Sequence, residues 1–309
     1  MTALALLSLD GLSRTDWLEA RRQGLGGSDA PAIAGLDRFR SALTVYYDKL
    51  GELAEEDESD AMRWGNRLEQ PIADEFEDRN GYIVTKAPAL YQSLEHPYML
   101  CNPDRILHTP ELLPAGGLEI KTSRLDEDWR DDPPARVIIQ VQHYMAVMGW
   151  DRMYVAVLLH GRNYEQWIVE RDDELIGLLI DLEAEFWQRV LDRRPPATDG
   201  HPSTTSTLGQ LYRRAREGST LELPPEAEEL LVELTLAKRA EKDAKDDVAA
   251  LSNAVKALLG EHEVGTLGGE LVVSWKVGKA RARKHSCPDC THAPDGPPSR
   301  TFLPREVTK

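Results

Sequence analysis

Asn102-Pro103-Asp104-Arg105-Ile106-Leu107-His108, a Pro110–Gly117 turn, and then Leu118-Glu119-Ile120-Lys121-Thr122 form the stretch on which the reading of this chain turns. Apolar residues alternate with polar ones on either side of a Pro- and Gly-bearing turn, so Tyr98–Asn102, Arg105–His108 and Leu118–Thr122 are expected to be strands. Residues two apart on a strand share a face, which sends Glu119 and Lys121 to one side and Ile120 into the core. An aspartate arriving from the neighbouring strand, Asp104, completes a cluster of two carboxylates and one ammonium. Alone, this alternation more commonly marks the wet face of an edge strand. As a cluster it is a hard-metal site, because magnesium takes oxygen ligands and keeps several waters, so that two carboxylates and a backbone carbonyl suffice. Such an ion activates water and neutralises charge developing on a phosphodiester. Lys121 beside it suits either orienting that water or stabilising a pentacovalent phosphate.

Outward from this stretch the period changes. Trp17–Arg22 reads as a short helix entering the turn Gly24-Leu25-Gly26-Gly27-Ser28-Asp29, and Ala30–Leu36 as a second helix capped by Ser28 or Asp29. A glycine turn at a helix start is a natural anion site, which brings in Arg21 and Ser28, although a helix rotated by one residue would present Arg22 instead. Trp64–Asn80 is expected to be a helix ended by Asn80-Gly81, and it carries Glu69 as a further carboxylate. Val137–Gly149 returns to helical spacing with Gln140 and Gln142. Arg152–Leu159 and Tyr164–Glu170 read as strands, and a helix from Asp172 to Arg194 stops at Pro195-Pro196. Gly24-x-Gly26-Gly27 is no nucleotide loop, since no strand leads into it and no Lys-Ser/Thr follows.

The expected organisation is a core over 1–194, a Pro/Ser/Thr-rich linker over 195–220, an amphipathic helix over 221–262 and a small β and loop tail over 263–309. In the helix, apolar or small residues at 230, 234, 237, 244, 248, 251, 255 and 258 form a narrow heptad-like seam broken by Glu241. Such a seam either packs back onto its own domain or self-associates. The tail contains the basic residues Lys276, Lys279, Arg281, Arg283 and Lys284, suited to a DNA backbone or to a solvated segment. It also holds His285, Cys287, Cys290 and His292, half of which resembles a zinc ligand pattern. Four ligands within eight residues are unusually compact for one ion, so a flexible tail is preferred over structural zinc.

A net charge of -16, from 37 basic and 53 acidic residues, excludes a protein that coats nucleic acid without preference. Three cysteines without regular spacing predict reduced thiols. The apolar start MTALALLSLDG lacks the basic flank of a secretory signal, and no run approaches the roughly 18 apolar residues of a membrane helix. No membrane association and a cytoplasmic location are expected.

Five blocks, Trp17–Ala30, Trp64–Glu69, Asn102–Arg105, Gly116–Ser123 and Gln140–Gly149, stand in a specific order. Over roughly residues 17–190 the chain resembles the YqaJ-type viral recombinase nucleases, relatives of phage lambda exonuclease in the PD-(D/E)XK superfamily. The resemblance implies an α/β restriction-endonuclease-like core, a central mixed β-sheet flanked by helices, here followed by the long helix and β tail. It implies that Asp104, Glu119 and the Ile120 carbonyl hold magnesium, with manganese able to substitute, and that Glu69 binds or supports a second ion. Lys121 would assist the attacking water, and Gln140, with Gln142 as the alternative, would position Lys121 or the water. Arg21 and Ser28 match the pair that grips the 5′-phosphate of a DNA end. Asn102 stands where the lambda enzyme has a hydroxyl side chain. The implied activity is 5′-to-3′ digestion of linear duplex DNA, leaving 3′ single-stranded overhangs for phage-type recombination. The implied partners are duplex ends, a single-strand annealing protein and two further copies in a ring-shaped homotrimer. A DNA endonuclease or repair nuclease of the same fold, and a non-cleaving end-binding protein, are the alternatives.

Overall fold

The computed structural model describes residues 2–54, 59–124, 129–214, 218–277 and 300–305. The chain divides into two compact units, Met1–Glu217 and Gly218–Lys309. The first unit begins β1 (Ala3–Ser8), α1 (Arg14–Arg22), β2 (Leu25–Gly26), α2 (Ala30–Ile33), α3 (Ala42–Lys49) and α4 (Asp60–Asn80). There follow β3 (Ile83–Lys86), β4 (Ala89–Ser93), β5 (Met99–Cys101), β6 (Arg105–His108), β7 (Pro114–Ser123) and α5 (Ala135–Met148). It ends with β8 (Arg152–Leu159), β9 (Asn163–Glu170), α6 (Asp173–Leu191) and α7 (Pro202–Leu211).

The central sheet has the order β3-β6-β7-β8-β9. It is mixed: β7 and β8 run parallel with Glu119 opposite Val155 and Lys121 opposite Val157, and the other pairs are antiparallel. Parallel neighbours need a crossover, and α5 supplies it. A second sheet, β1-β4-β5-β2, carries the strand that leads into Asp104. The expected α/β architecture, a mixed sheet with helices against it, is therefore the one observed.

Both faces of the central sheet are covered, and the pleat decides what each side receives. Leu118 and Ile120 of β7 pack with Leu107, Tyr154 and Ala156 against Ile72, Ala73 and Phe76 of α4. Val155 and Val157 of β8 pack instead with Val137, Val141 and Met145 of α5. Since Leu118 and Ile120 face α4, Glu119 and Lys121 face α5. Phe76 is fully buried and meets the rings of Tyr82 at 6.2 Å and Tyr154 at 5.3 Å. Helix α4 starts at Ser59, whose hydroxyl accepts from the Met62 amide, and ends at Gly81 in the left-handed conformation, φ 70°. Inside it, Pro71 has no N–H to offer the Arg67 carbonyl, so the helical ladder is interrupted beside Glu69 and Gln70.

Several expectations need correction. The segment read as a linker contains α7, with Thr204 and Thr207 buried. It docks through hydroxyls: Ser203 Oγ accepts from the Ser41 amide (2.8 Å), Thr204 Oγ1 donates to Ser41 Oγ (2.8 Å), and Thr44 and Thr207 hydroxyls meet at 2.9 Å. A helix held by hydrogen bonds shows no apolar period, which is why its sequence resembles a loop. Helix α3 was not expected either, although it buries Leu43, Val45 and Tyr46. Strand β7 begins inside the expected Pro110–Gly117 turn, and α2 is a single turn rather than a helix to Leu36.

Among the described residues the second unit holds α8 (Glu226–Leu259) and the antiparallel sheet β10 (Val264–Leu267), β11 (Glu270–Val277) and β12 (Arg300–Pro304). His285, Cys287, Cys290 and His292, and the basic residues Lys279, Arg281, Arg283 and Lys284, lie outside the described residues. No helix among the described residues is long and apolar enough to cross a membrane.

Because Phe76 anchors α4 to the sheet, Phe76→Ala is expected to cost about 3–5 kcal/mol of unfolding free energy in a urea titration. A loss under about 1 kcal/mol would mean that α4 is not held by this contact.

Candidate metal and phosphate site

The site is built on β7. Glu119 is 1% exposed, and its Oε1 accepts from Gln140 Nε2 of α5 at 2.7 Å and from the Lys121 ammonium. Its other oxygen, Oε2, is buried without a hydrogen-bond partner among the described residues. Asp104, just before β6, accepts the Ile120 amide on Oδ2 at 2.7 Å, so the two carboxylates flank one short run of backbone. Lost solvation and the Glu119 charge push the Asp104 carboxyl well above the usual aspartate range, with Lys121 only partly offsetting them. Burial works against the Lys121 ammonium, but Glu119 and Asp104 outweigh it and raise its pKa, so Lys121 carries its proton at neutral pH.

These residues fit a hard divalent cation. Two carboxylates that disfavour each other's charge, one with a free buried oxygen, lack a positive charge that one lysine does not fully provide. The set is smaller than the sequence implied. Among the described residues no group of three or more His, Cys, Asp or Glu side chains is arranged to hold a metal. Glu69 is drawn off by Arg105, which is 2% exposed. The same guanidinium donates to the Asp104 carbonyl at 2.7 Å and to Gln70 at 3.2 Å. Arg105 escaped the sequence reading, although it directly follows Asp104, because an arginine in a strand normally reads as solvent-exposed.

The second half of the site is the glycine turn. Arg21 Nη2 donates to Ser28 Oγ at 2.8 Å, with its guanidinium over the Trp17 ring at 4.7 Å. Arg21, not Arg22, therefore faces the turn. The expected helix-start contribution is absent, because α2 has four residues and its N-cap Asp29 makes no capping bond. Asp29 instead accepts from the Gly26 amide (3.0 Å), Arg40 (2.9 Å) and Lys49 (2.6 Å), and Lys49 also donates to the Arg21 carbonyl (3.0 Å). Burial alone would raise the Asp29 carboxyl, but Lys49, Arg40 and Arg21 outweigh it and hold it far below the usual range. A buried anion thus fixes the backbone from which Arg21 and Ser28 project.

Tyr144 joins the two halves. Its hydroxyl accepts from Gln140 Nε2 at 3.1 Å, and its ring lies against Gly27, where a Cβ would stand 2.3 Å from a ring carbon. Only glycine fits there. Two neighbours of Gln140 on α5 do other work. Gln142 is buried, donates to the Glu170 carbonyl (2.8 Å) and accepts the Asp172 amide (3.0 Å), so it neither faces solvent nor reaches the site. His143, also buried, places its two ring nitrogens 2.9 Å from Glu183 and 2.8 Å from the Leu100 carbonyl. Burial opposes its charge, but Glu183 and the carbonyl outweigh it and raise its pKa, and the two contacts pin α5 to α6 and β5. Asn102 leaves a buried Oδ1 without a partner among the described residues.

A mixed-sheet α/β unit with a carboxylate and lysine cluster on its central strand defines the class. Residues 16–151 match the YqaJ-like viral recombinase domain. The chain is 33% identical over 264 residues to the uncharacterized protein YqaJ of Bacillus subtilis (strain 168), across 83% of this chain and 82% of that one. It belongs to the YqaJ-like viral recombinase family. Among solved structures, an alkaline exonuclease from Laribacter hongkongensis is similar at TM-score 0.46 and 20% identity, over 58% of this chain and 94% of that one. A phage-related exonuclease from Haemophilus somnus 129PT gives TM-score 0.40 and 15% identity, over 55% and 96%.

Removing the Asp29 charge leaves Lys49, 1% exposed at its side chain, without its counter-ion. Asp29→Asn is expected to cost about 3–5 kcal/mol at pH 7. The Asp29 carboxyl is lowered in the folded state, so its contribution is complete above the ordinary value of 3.8 and is lost as the pH falls through the lower folded value. The gap between wild type and variant, measured by urea titration, should accordingly narrow progressively as the pH falls below 3.8.

Proposed function

We propose that the protein is a divalent-metal-dependent deoxyribonuclease that digests linear duplex DNA from an end. The observation that carries this reading is the buried Glu119 carboxylate, held on one oxygen by Lys121 and Gln140 and unpartnered on the other, next to Asp104. Membership of a viral recombinase family supports DNA as substrate.

Asp104, Glu119 and the Ile120 carbonyl would hold the ion, with Glu69 at the margin under Arg105. Magnesium, or manganese in its place, supplies an activated water and neutralises charge on the phosphodiester. The protein's own groups do the rest. Gln140 holds Glu119 in place, and Tyr144 holds Gln140. Lys121, beside Glu119, suits orienting the attacking water or donating a hydrogen bond to the phosphate oxygens. Arg21 and Ser28, preorganised by their mutual hydrogen bond, suit a terminal 5′-phosphate, which supports digestion from 5′ to 3′ that would leave a 3′ overhang. A single-strand annealing protein is the partner such an overhang calls for, and a ring-shaped homotrimer around duplex DNA is the proposed assembly of the nuclease units.

Linear duplex with and without a 5′-phosphate, and closed circular duplex, are to be incubated with the protein in magnesium or EDTA. Wild type should consume the linear forms only, and only with magnesium. Asp104→Ala and Lys121→Ala should each lose roughly 10²–10³-fold in rate, and Arg21→Ala should lose the preference for a 5′-phosphate. Equal attack on the circle would replace this reading by an endonuclease. Binding to ends without product in magnesium would replace it by an end-binding protein, and undiminished cutting by both variants would overturn the site.

A further inference from the structure

Among the described residues of its unit, the seam of α8 is left exposed along most of its length, with only Val255 partly covered at the end next to the sheet. Leu230 is 66% exposed, Leu234 49%, Val248 64%, Leu251 68% and Leu258 88%. The sheet of the same unit takes a different face: Leu259 is buried beside Gly265, and the Lys256 ammonium lies over the Phe302 ring at 5.0 Å. Near the start of the helix, Leu231, Val232 and Leu236 share a groove with Leu223 and Pro224 of the same unit, again off the seam.

The spacing identifies what covers the seam. Its positions step by four and three in strict alternation from 230 to 258, four heptads without a slip. On a straight helix such a stripe drifts by about 20° per heptad, so over four heptads it turns through roughly 80° away from a flat surface, whereas a partner helix supercoiled to the left follows it throughout. Leu234, Glu241, Val248 and Val255 fall at one set of core positions, and Leu230, Ala237, Ala244, Leu251 and Leu258 at the other. We propose that α8 pairs in parallel and in register with α8 of a second copy of this chain, a contact separate from the homotrimer proposed for the nuclease units and one that would join chains of different trimers.

Charge selects both the occupant and its direction. In parallel register, the flanking Glu233 of each chain meets Lys238 of the other, twice per dimer. An antiparallel pair would set Lys238 against the second copy's Lys245. Glu241 is the one charged core residue, and its carboxylate is already paired with Lys245 one turn on, at 2.5 Å. In parallel register it faces Glu241 of the second copy, a like-charge layer that weakens the centre of the pair.

The test is sedimentation equilibrium of the full chain, with circular dichroism to confirm that each variant keeps its helix. All substituted side chains are exposed, so the fold does not depend on them. Leu234→Glu with Leu251→Glu is expected to weaken association by at least roughly tenfold, and Glu241→Leu to strengthen it by as much. Glu233→Lys and Lys238→Glu should each weaken it, and the two together should restore it. Association that none of these changes moves, as a nuclease-unit oligomer would show, overturns the proposal. So does a chain that stays monomeric at about 100 μM. Failure of the double charge swap to restore pairing overturns the parallel arrangement.

Discussion

Burying the Glu119 carboxylate is the constraint around which the first unit is arranged. A lone charge taken from water into a sheet centre is too costly to keep unless donors and counter-charges meet it. Here Lys121 reaches it from two residues along the same strand and Gln140 from the helix that crosses behind the sheet, and both converge on a single oxygen. The parallel pairing of β7 with β8 is what permits this, since only a crossover connection lays α5 over that face. The second oxygen is left bare among the described residues, which is the feature a bound cation would satisfy.

Asp29, by contrast, is saturated by the Gly26 amide, Arg40 and Lys49, and both ring nitrogens of His143 are matched, by Glu183 and a carbonyl, while Glu183, like Glu119, leaves its Oε2 buried without a partner among the described residues. Those groups are built to stay still, and what they hold still is the frame of the site: Asp29 fixes the turn bearing Arg21 and Ser28, and His143 fixes the helix bearing Gln140. Tyr144 then sets the spacing between the turn and the centre, because its ring touches one and its hydroxyl the other. An acidic chain can thus present a cationic grip locally, with its anions either committed inside or dispersed over the solvated surface.

Much of this was legible in order along the chain. The bounds of β6 and β8, the helical period of α4 and α5, and the two-residue spacing of Glu119 and Lys121 follow from patterning, which the pleat and the helix repeat enforce. What patterning misses is what does not alternate. Helix α7 docks by serine and threonine hydroxyls, and α3 is short and follows a polar loop. Arg105 and Gln142 are buried polar residues whose partners are distant in sequence, so nothing local marks them as internal.

The sequence by itself determined the mixed α/β architecture, the family and the pairing of Glu119 with Lys121, because these depend on local periodicity and on short blocks in order. Tertiary structure alone decided that Glu69 turns to Arg105, that Gln140 and not Gln142 reaches the centre, and that Tyr144 bridges to Gly27. Each of those choices depends on which side chain finds a counter-charge or a gap across tens of residues, and only the packed fold sets those distances.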